Sequence, residues 1–557
     1  MTTTDVSFLD GGPAVPTEVR DLGETLVRAA ETAASAGICF VGDDGSETAL
    51  TYPELLDGAA RLLGGLRAAG LVPGETVVLQ VAEPPALLTA FWACVLGGFV
   101  PMPVNAGATA DQRATAPELL QRVWQGYGRP KVLTGPGQEI AEAVAADPRW
   151  PQALLGDTDR LGSGAPESVW HRAAPDDPAV LLLTSGSTGV PKAVTLTHRN
   201  VLSRTSATVR LNRLGAKTRS FNWMPLDHVG GLVMFHVRDV YLGCYQVHAG
   251  IEWVLGDPLR WLEGIDRHRA DTTWAPNFAF GLINDLADRL EGRSWDLSCL
   301  RYIMNGGEAV RSGVVRRFLE LLAPLGLPRD AMWPGWGMSE TSAGVADCEF
   351  WAVNAGDDRY VPVGRPQPGT SLRVVDERNR IVPVGTTGLL QVSGASVTSG
   401  YYRNPGQNRQ SFTDGWFRTG DLAYVRDGIL TVTGRADDVI QLGGVTYHGH
   451  EIEARVEELD VVVPSYTVAC PVTGPESGTE ELAVFFHPRG GTEPAAAARM
   501  VRDQLARTLG VTVAHTVPVG MEDVPKTGIG KLRRAQLREQ FEAAGAAGFS
   551  AEPAPVG

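Results

Sequence analysis

The chain has 557 residues, 43% of them apolar and 20% charged, which is longer than one hydrophobic core usually serves and excludes a disordered or fibrous protein. Its formal net charge is −15 with no sustained Lys/Arg run, which argues against nucleic acid as a partner. Six cysteines, Cys39, Cys94, Cys244, Cys299, Cys348 and Cys470, lie far apart without C-x-x-C spacing and read as reduced, mostly buried thiols, not a disulfide frame or zinc site.

In chain order, the N-terminus lacks a basic segment followed by an apolar core, and no apolar run reaches the roughly 18 residues of a membrane span. A cytoplasmic chain with no membrane span is expected. From residue 50, "LTYPELLDGAARLLGGLRAAG" carries leucines and alanines at helical spacing. "ETVVLQV" then reads as a buried strand and "ALLTAFWACVLGG" as an apolar helix. "PELLQRVWQGYG", "PKVLTG" and "EIAEAVAADP" suggest helix, strand, helix, and a loop leads into the strand "AVLLLT". Further strand candidates are "FNWMPL", "TTWAP" and "LRYIMNGG". Alternating helices and strands predict an α/β fold: a large N-terminal domain of parallel-rich sheets over residues 1–435, and a small α+β domain over 436–540. Residues 541–557, rich in small residues and proline, are expected to be a disordered tail.

The stretch "TSGSTGVPK" follows the apolar strand directly. A loop between a buried strand and a following helix, filled with Gly, Ser and Thr, offers backbone N–H groups and hydroxyls to phosphate oxygens. It is not a Walker loop, because Gly189 is followed by Val190, Pro191, Lys192 and Ala193.

The full segment "LLLTSGSTGVPKAVTLTHRN" closely resembles the phosphate-binding signature of the adenylate-forming superfamily: acyl-CoA synthetases, aryl and fatty acyl-AMP ligases, nonribosomal peptide adenylation domains and firefly-type luciferases. Further motifs follow in the family's order: "NGGEAV", "GWGMSET", "VGRPQPG", "GYYRNP", "GWFRTGDLA", "GRADDVIQLGG" and "PKTGIGKLRR". The resemblance covers nearly the whole chain.

It implies ATP and Mg²⁺ as cofactors and the following roles. Thr184, Ser185, Gly186, Ser187, Thr188, Gly189 and Lys192 would hold phosphates. Gly306, Gly307 and Glu308, in the adenine-contacting turn, and Gly335, Trp336, Gly337, Met338 and Ser339 would belong to the ATP site. Glu340 would hold Mg²⁺, a task suited to a hard oxygen ligand. Trp336 stands where tyrosine is more usual and would either stack on adenine or pack in the core. Asp421 would accept from the ribose hydroxyls, with Arg435 facing ribose or phosphate. Asp437 would be the hinge about which the small domain swings. Lys531 is the first catalytic candidate: a lysine bridging a carboxylate and an α-phosphate offsets their repulsion and stabilises developing charge. Lys526 precedes it in the motif.

The acyl pocket is expected from "MPLDHVGGLVMFHVRDVYLG", "WAPNFAFG", the glycines after Asn305, and residues 343–345. His228, the second catalytic candidate, matches an aromatic or histidine that gates the carboxylate in relatives. Val229 follows where amino-acid-activating domains place an aspartate for the α-ammonium, so a cation there would face an apolar side chain. Asp227 is the alternative carboxylate. His236 and Arg238, with Asp239, form either an internal ion pair or a group reading a polar part of the substrate. Asn277, Phe278, Ala343 and Gly344 complete the expected pocket.

Gln441 and Gly443 replace basic residues common in relatives, and His448 and His450 are too few for a metal site. The reading is therefore a ligase that converts a carboxylic acid without an α-amine to acyl-AMP and passes it to a thiol. The acceptor is an acyl carrier protein's phosphopantetheine in polyketide or peptide assembly, or else coenzyme A. A non-catalytic nucleotide-binding or carrier-docking module, and an ATP hydrolase, are the alternatives from other classes.

Overall fold

A computed structural model describes residues 5–107, 110–137, 142–184, 190–353, 360–442, 445–473, 480–527, 530 and 532–544. The helix read from residue 50 onward runs Tyr52–Ala68. It starts there because the Thr51 hydroxyl accepts the Glu54 N–H while the Glu54 carboxylate accepts the Thr51 N–H, with proline in the first turn where its missing N–H costs nothing. Leu55, Leu62, Leu63 and Leu66 are fully buried on this helix, each contributing about 1.5–3 kcal/mol by leaving water. They pack toward the helix Pro84–Gly97, which is apolar on nearly every side and is buried accordingly.

Two sheets of the larger unit are parallel at heart. Thr76–Gln80 pairs in parallel with Val100–Pro103 and Lys131–Thr134, and the last with Leu154–Asp157. In a nine-stranded sheet, Gly37–Val41, Tyr245–Ala249, Arg219–Asn222, Thr272–Ala275, Tyr302–Asn305 and Met332–Met338 lie side by side in parallel. Antiparallel strands close its edges: Glu47–Thr51 at one, Ala343–Asp347 and Arg365–Pro366 at the other. A third sheet, including Thr370–Val375, Gly388–Gly394, Trp416–Arg426 and Ile429–Arg435, is wholly antiparallel.

Beyond Arg435 the chain makes a 3₁₀ turn, Ala436–Asp438, and enters a smaller α+β unit. Val462–Thr473 pairs antiparallel with Glu480–Pro488, which pairs in parallel with His515–Pro518. Helices Gly449–Val456, Pro494–Leu509 and Arg534–Ala544 accompany these strands. The apolar clusters of this unit, built from residues between Ile440 and Phe541, are distinct from those built from residues 19–430.

Two expectations need correction. The 541–557 tail does not begin at 541: the last helix continues to Ala544, because Leu537 and Phe541, four residues apart, are both buried in the small unit's core. Residues 545–557 lie outside the described residues. The segment "FNWMPL" is a strand only through Asn222, since the Asn222 side chain turns the chain by bonding the Met224 backbone. All six cysteines are free thiols, four of them buried. Among the described residues, no helix is long and apolar enough to cross a membrane.

Candidate active site

The Gly/Ser/Thr-rich segment joins two antiparallel strands, Pro178–Thr184 and Lys192–Thr197, with Thr184 opposite Lys192. The expected strand-to-helix loop is therefore a hairpin connection, and the helix follows one strand later at His198. Ser185, Gly186, Ser187, Thr188 and Gly189 lie outside the described residues. The arm of the hairpin is fixed from both sides. The Tyr127 hydroxyl donates to the Pro191 carbonyl at 2.5 Å, and residues 400–402 bond across to Ala193 and Thr195.

That pairing delivers Tyr401 to the site. Its hydroxyl donates to Glu340 Oε1 at 2.7 Å, and the Lys192 ammonium lies 5.3 Å from the centroid of its ring. Glu340 itself sits on a 3₁₀ turn, Ser339–Thr341, between the strands Met332–Met338 and Ala343–Asp347. Ser342 and Ala343 hold left-handed backbone, φ 58° and 107°, a strained conformation for residues with a Cβ. The Thr341 hydroxyl binds both the Met338 and Ala343 carbonyls and locks this turn. Gly337 is required because a Cβ would stand 2.1 Å from the Ala343 carbonyl oxygen. Burial raises the Glu340 carboxyl pKa, opposed by the Tyr401 hydrogen bond and by Lys192 and Arg435. Its hard carboxylate oxygen is of the kind that would hold Mg²⁺, which would offset charge on ATP phosphates.

A second group adjoins the first through Arg435. The Trp336 indole N–H donates to Asp421 Oδ2 at 2.9 Å, and Arg435 Nη1 donates to Asp421 Oδ1 at 3.0 Å and to the Thr419 carbonyl at 2.9 Å. The indole is thus pinned by its edge. Gly335 precedes Trp336 in the same strand, where a Cβ would stand 2.8 Å from the Met304 methyl. Asp437 is exposed in the turn that leaves this group.

On the other side of the strand ends, the Glu308 carboxylate accepts the Phe278 N–H at 2.6 Å and caps the helix Asn277–Asn284. Asn277 Oδ1 accepts from Asn305 Nδ2 and from the Arg311 N–H, so it braces the 305–311 turn. A Cβ on Gly306 would stand 2.6 Å from the Gly335 carbonyl oxygen, so that turn must pass close to the neighbouring strand. Gly307 has φ 88°. His228 stacks on Trp274 with centroids 6.2 Å apart, and its Nδ1 accepts the Gly230 N–H at 3.1 Å. Trp274 fills the space between Gly230, where a Cβ would stand 2.1 Å from the indole ring, and Gly307. Val229 is buried, and Asp227, bonded to Asn105, has its pKa raised by desolvation.

His236 and Arg238 are not pocket residues. Gly230–Val237 is a π-helix continued by Arg238–Leu242, and this segment turns both side chains into the core. The His236 ring accepts from the Trp92 indole at 2.8 Å and bonds Gln246 at 2.9 Å, while Arg238 pairs with Asp239 at 2.7 Å. Of the two readings of this trio, the internal ion pair is the one present. Cys39, Glu47 and His268 approach one another closely enough to suggest a metal, but Arg267 bonds the Glu47 carboxylate at 3.0 Å, which makes the group a neutralised polar cluster.

Lys531 lies outside the described residues, but its neighbour Gly530 rests on Phe278, where a Cβ would stand 2.6 Å from the ring. Sequence reasoning missed Tyr401, although it falls within the motif "GYYRNP", and also missed Arg311; Trp274 lay inside the expected pocket segment "WAPNFAFG" but was given no role.

The AMP-binding enzyme family profile matches residues 27–402, and the chain belongs to that family: it is an adenylate-forming ligase. It is 32% identical over 550 residues to an atromentin synthetase of Tapinella panuoides, covering 95% of this chain and 57% of that protein. The chain spans a little over half the length of the curated relatives it matches. Its fold superposes on the McyG A-PCP structure complexed with phenylalanyl-adenylate with a TM-score of 0.89 at 35% identity, covering 96% of this chain and 85% of the other. For the adenylation, ketoreductase and pseudo Asub multidomain structure of a keto acid-selecting NRPS module the TM-score is 0.88 at 36% identity, covering 97% of this chain and 47% of the other.

Proposed function

We propose that this ligase activates an α-keto acid, or a closely related acid without an α-amine, for carrier-linked natural-product assembly. The observation that carries the reading is the apolar wall beside the gate: Val229 is buried next to His228, and the neighbouring Asp227 is engaged by Asn105. An α-ammonium there would lose its hydration without a carboxylate in return, which costs far more than the roughly 2–7 kcal/mol of burying a neutral polar group unpaired. The keto acid-selecting NRPS module supports this class, and the atromentin synthetase supports the biosynthetic setting.

In the proposed reaction a substrate carboxylate oxygen attacks the α-phosphorus of ATP, the bond to the β-phosphate oxygen breaks, and pyrophosphate leaves. Lys192 and the hairpin loop hold phosphates, Glu340 holds Mg²⁺, and Tyr401 fixes the carboxylate for that task. Asp421, oriented by Trp336 and Arg435, accepts from the ribose. The 306–308 turn and the strand 335–339 flank the base. His228 and Trp274 shape the carboxylate entrance, and Lys531 bridges the two reacting anions. The small domain, from 436 onward, swings about Asp437; the thiol of a carrier protein's phosphopantetheine then attacks the acyl carbon, the bond from that carbon to the phosphate oxygen breaks, and AMP leaves. Carboxylate-dependent exchange of labelled pyrophosphate into ATP tests the reading, with phenylpyruvate and phenylalanine as the paired substrates.

A further inference from the structure

Arg311 belongs to the larger unit, directly after the 305–310 turn, and its backbone N–H is held by Asn277 Oδ1 at 3.1 Å. Its guanidinium reaches across to the smaller unit and pairs with Glu457. That carboxylate is nearly buried, with 7% of its side chain exposed, and its Oε1 accepts the Ser465 N–H at 2.9 Å. The pair is therefore fixed at both ends by backbone, unlike a surface ion pair between two swinging side chains. Lys526 stands over the Tyr466 ring at 3.2 Å, drawn by both Glu457 and Glu308, and Gly530 sits on Phe278. One run of alternating charges thus connects the 305–310 turn to the segment that leads into Lys531.

Building on the proposed adenylation, we infer that the Arg311–Glu457 ion pair is a clamp that holds the small unit in the pose that forms the adenylate. Arg311 is a positioning residue: it touches neither substrate nor the reacting phosphorus, and acts by keeping Lys526 beside Glu457 and Glu308 and Gly530 on Phe278. A shielded pair lets the clamp be firm, because truncating one partner strands the other's charge. It also makes the clamp releasable, because rotation of the small unit exposes both groups to water together.

The test uses the full chain with Arg311→Gln, Glu457→Gln and the exchange Arg311→Glu with Glu457→Arg. The clamp predicts that each single change lowers kcat for pyrophosphate exchange tenfold or more while the affinity for a fluorescent ATP analogue stays within twofold. The charge-exchanged double variant recovers at least a third of the wild-type rate. In a Lys531→Ala background, Arg311→Gln adds no further loss. Wild-type exchange that the single changes leave untouched overturns the clamp alone, as does a further loss in the Lys531→Ala background. A double variant as slow as the product of the singles also overturns it. Wild-type protein with no exchange on any acid overturns the proposed function and the clamp with it.

Discussion

The Tyr401 hydroxyl donates to Glu340 Oε1 at 2.7 Å while the Lys192 ammonium lies over the face of the same ring. One aromatic side chain thereby touches both a buried carboxylate and a lysine, the two groups proposed to serve the metal and the phosphates. Tyr401→Phe keeps the ring and removes the bond. A hydrogen bond to a charged group is worth about 1.5–3 kcal/mol, so exchange falls about 10- to 100-fold. Glu340→Gln falls further and raises the Mg²⁺ concentration needed for half-maximal rate; titrating Mg²⁺ with each variant separates the two effects.

The bond from the Trp336 indole to Asp421 predicts a different signature. Trp336→Phe preserves an aromatic face but frees one carboxylate oxygen, so KM for ATP rises about 5- to 10-fold through a lost bond of about 1–1.5 kcal/mol, with kcat nearly unchanged. Steady-state kinetics at saturating acid decide it. An equal fall in kcat would assign the indole a part in the chemical step instead.

Trp274 and Gly230 are tested as a pair. Gly230→Ala places a methyl 2.1 Å from the indole, and overpacking of this kind costs about 1–3 kcal/mol. Trp274→Leu in the same chain relieves it, so the double variant melts higher than Gly230→Ala alone. It also accepts bulkier acids in the exchange assay.

Acid destabilisation follows from the buried imidazoles. Desolvation pushes His198, His236 and His450 down to about 4 from 6.5. At pH 7 both folded and unfolded states are neutral and these groups contribute nothing. As pH falls through 6.5 the unfolded state takes up protons that the folded state refuses, so stability declines until about pH 4, where the folded state titrates too. His236→Gln lowers Tm at pH 7 by breaking the bonds to Trp92 and Gln246, but flattens the decline of Tm between pH 6.5 and 4. A slope unchanged from wild type would show that His236 is charged in the fold.

What the sequence disclosed and what it concealed divide by distance along the chain. The helix Tyr52–Ala68 was legible because its cap, Thr51 with Glu54, and its leucines lie within a few turns. Glu340 and Asp421 were singled out because their motifs are short and ordered. Tyr401 was not singled out, since its bond to Glu340 spans 61 residues and depends on a strand pairing with Ala193. His236 was misplaced for the same reason: its indole partner is Trp92, 144 residues away, and a π-helix shifts the facing that a 3.6-residue period would give. Composition suggested phosphate binding for the segment after Thr184 but not that the strands flanking it are antiparallel.

Lys531→Ala should reduce exchange by at least about 100-fold, the scale of losing one preorganised charge that stabilises a transition state. Binding of ATP should be little changed, because the groups proposed to hold the nucleotide lie on the larger unit. Isothermal titration with a non-hydrolysable analogue alongside the rate measurement distinguishes loss of chemistry from loss of binding.

The measurement that bears most directly on the account is pyrophosphate exchange across matched pairs of acids that differ only at the α-carbon, keto, hydroxy, amino or unsubstituted, on one aromatic and one aliphatic skeleton. The account predicts exchange with an α-keto or other amine-free acid and at least tenfold less with its α-amino counterpart. Exchange confined to α-amino acids would contradict the reading of Val229 and Asp227, and no exchange with any acid would contradict the proposed reaction itself.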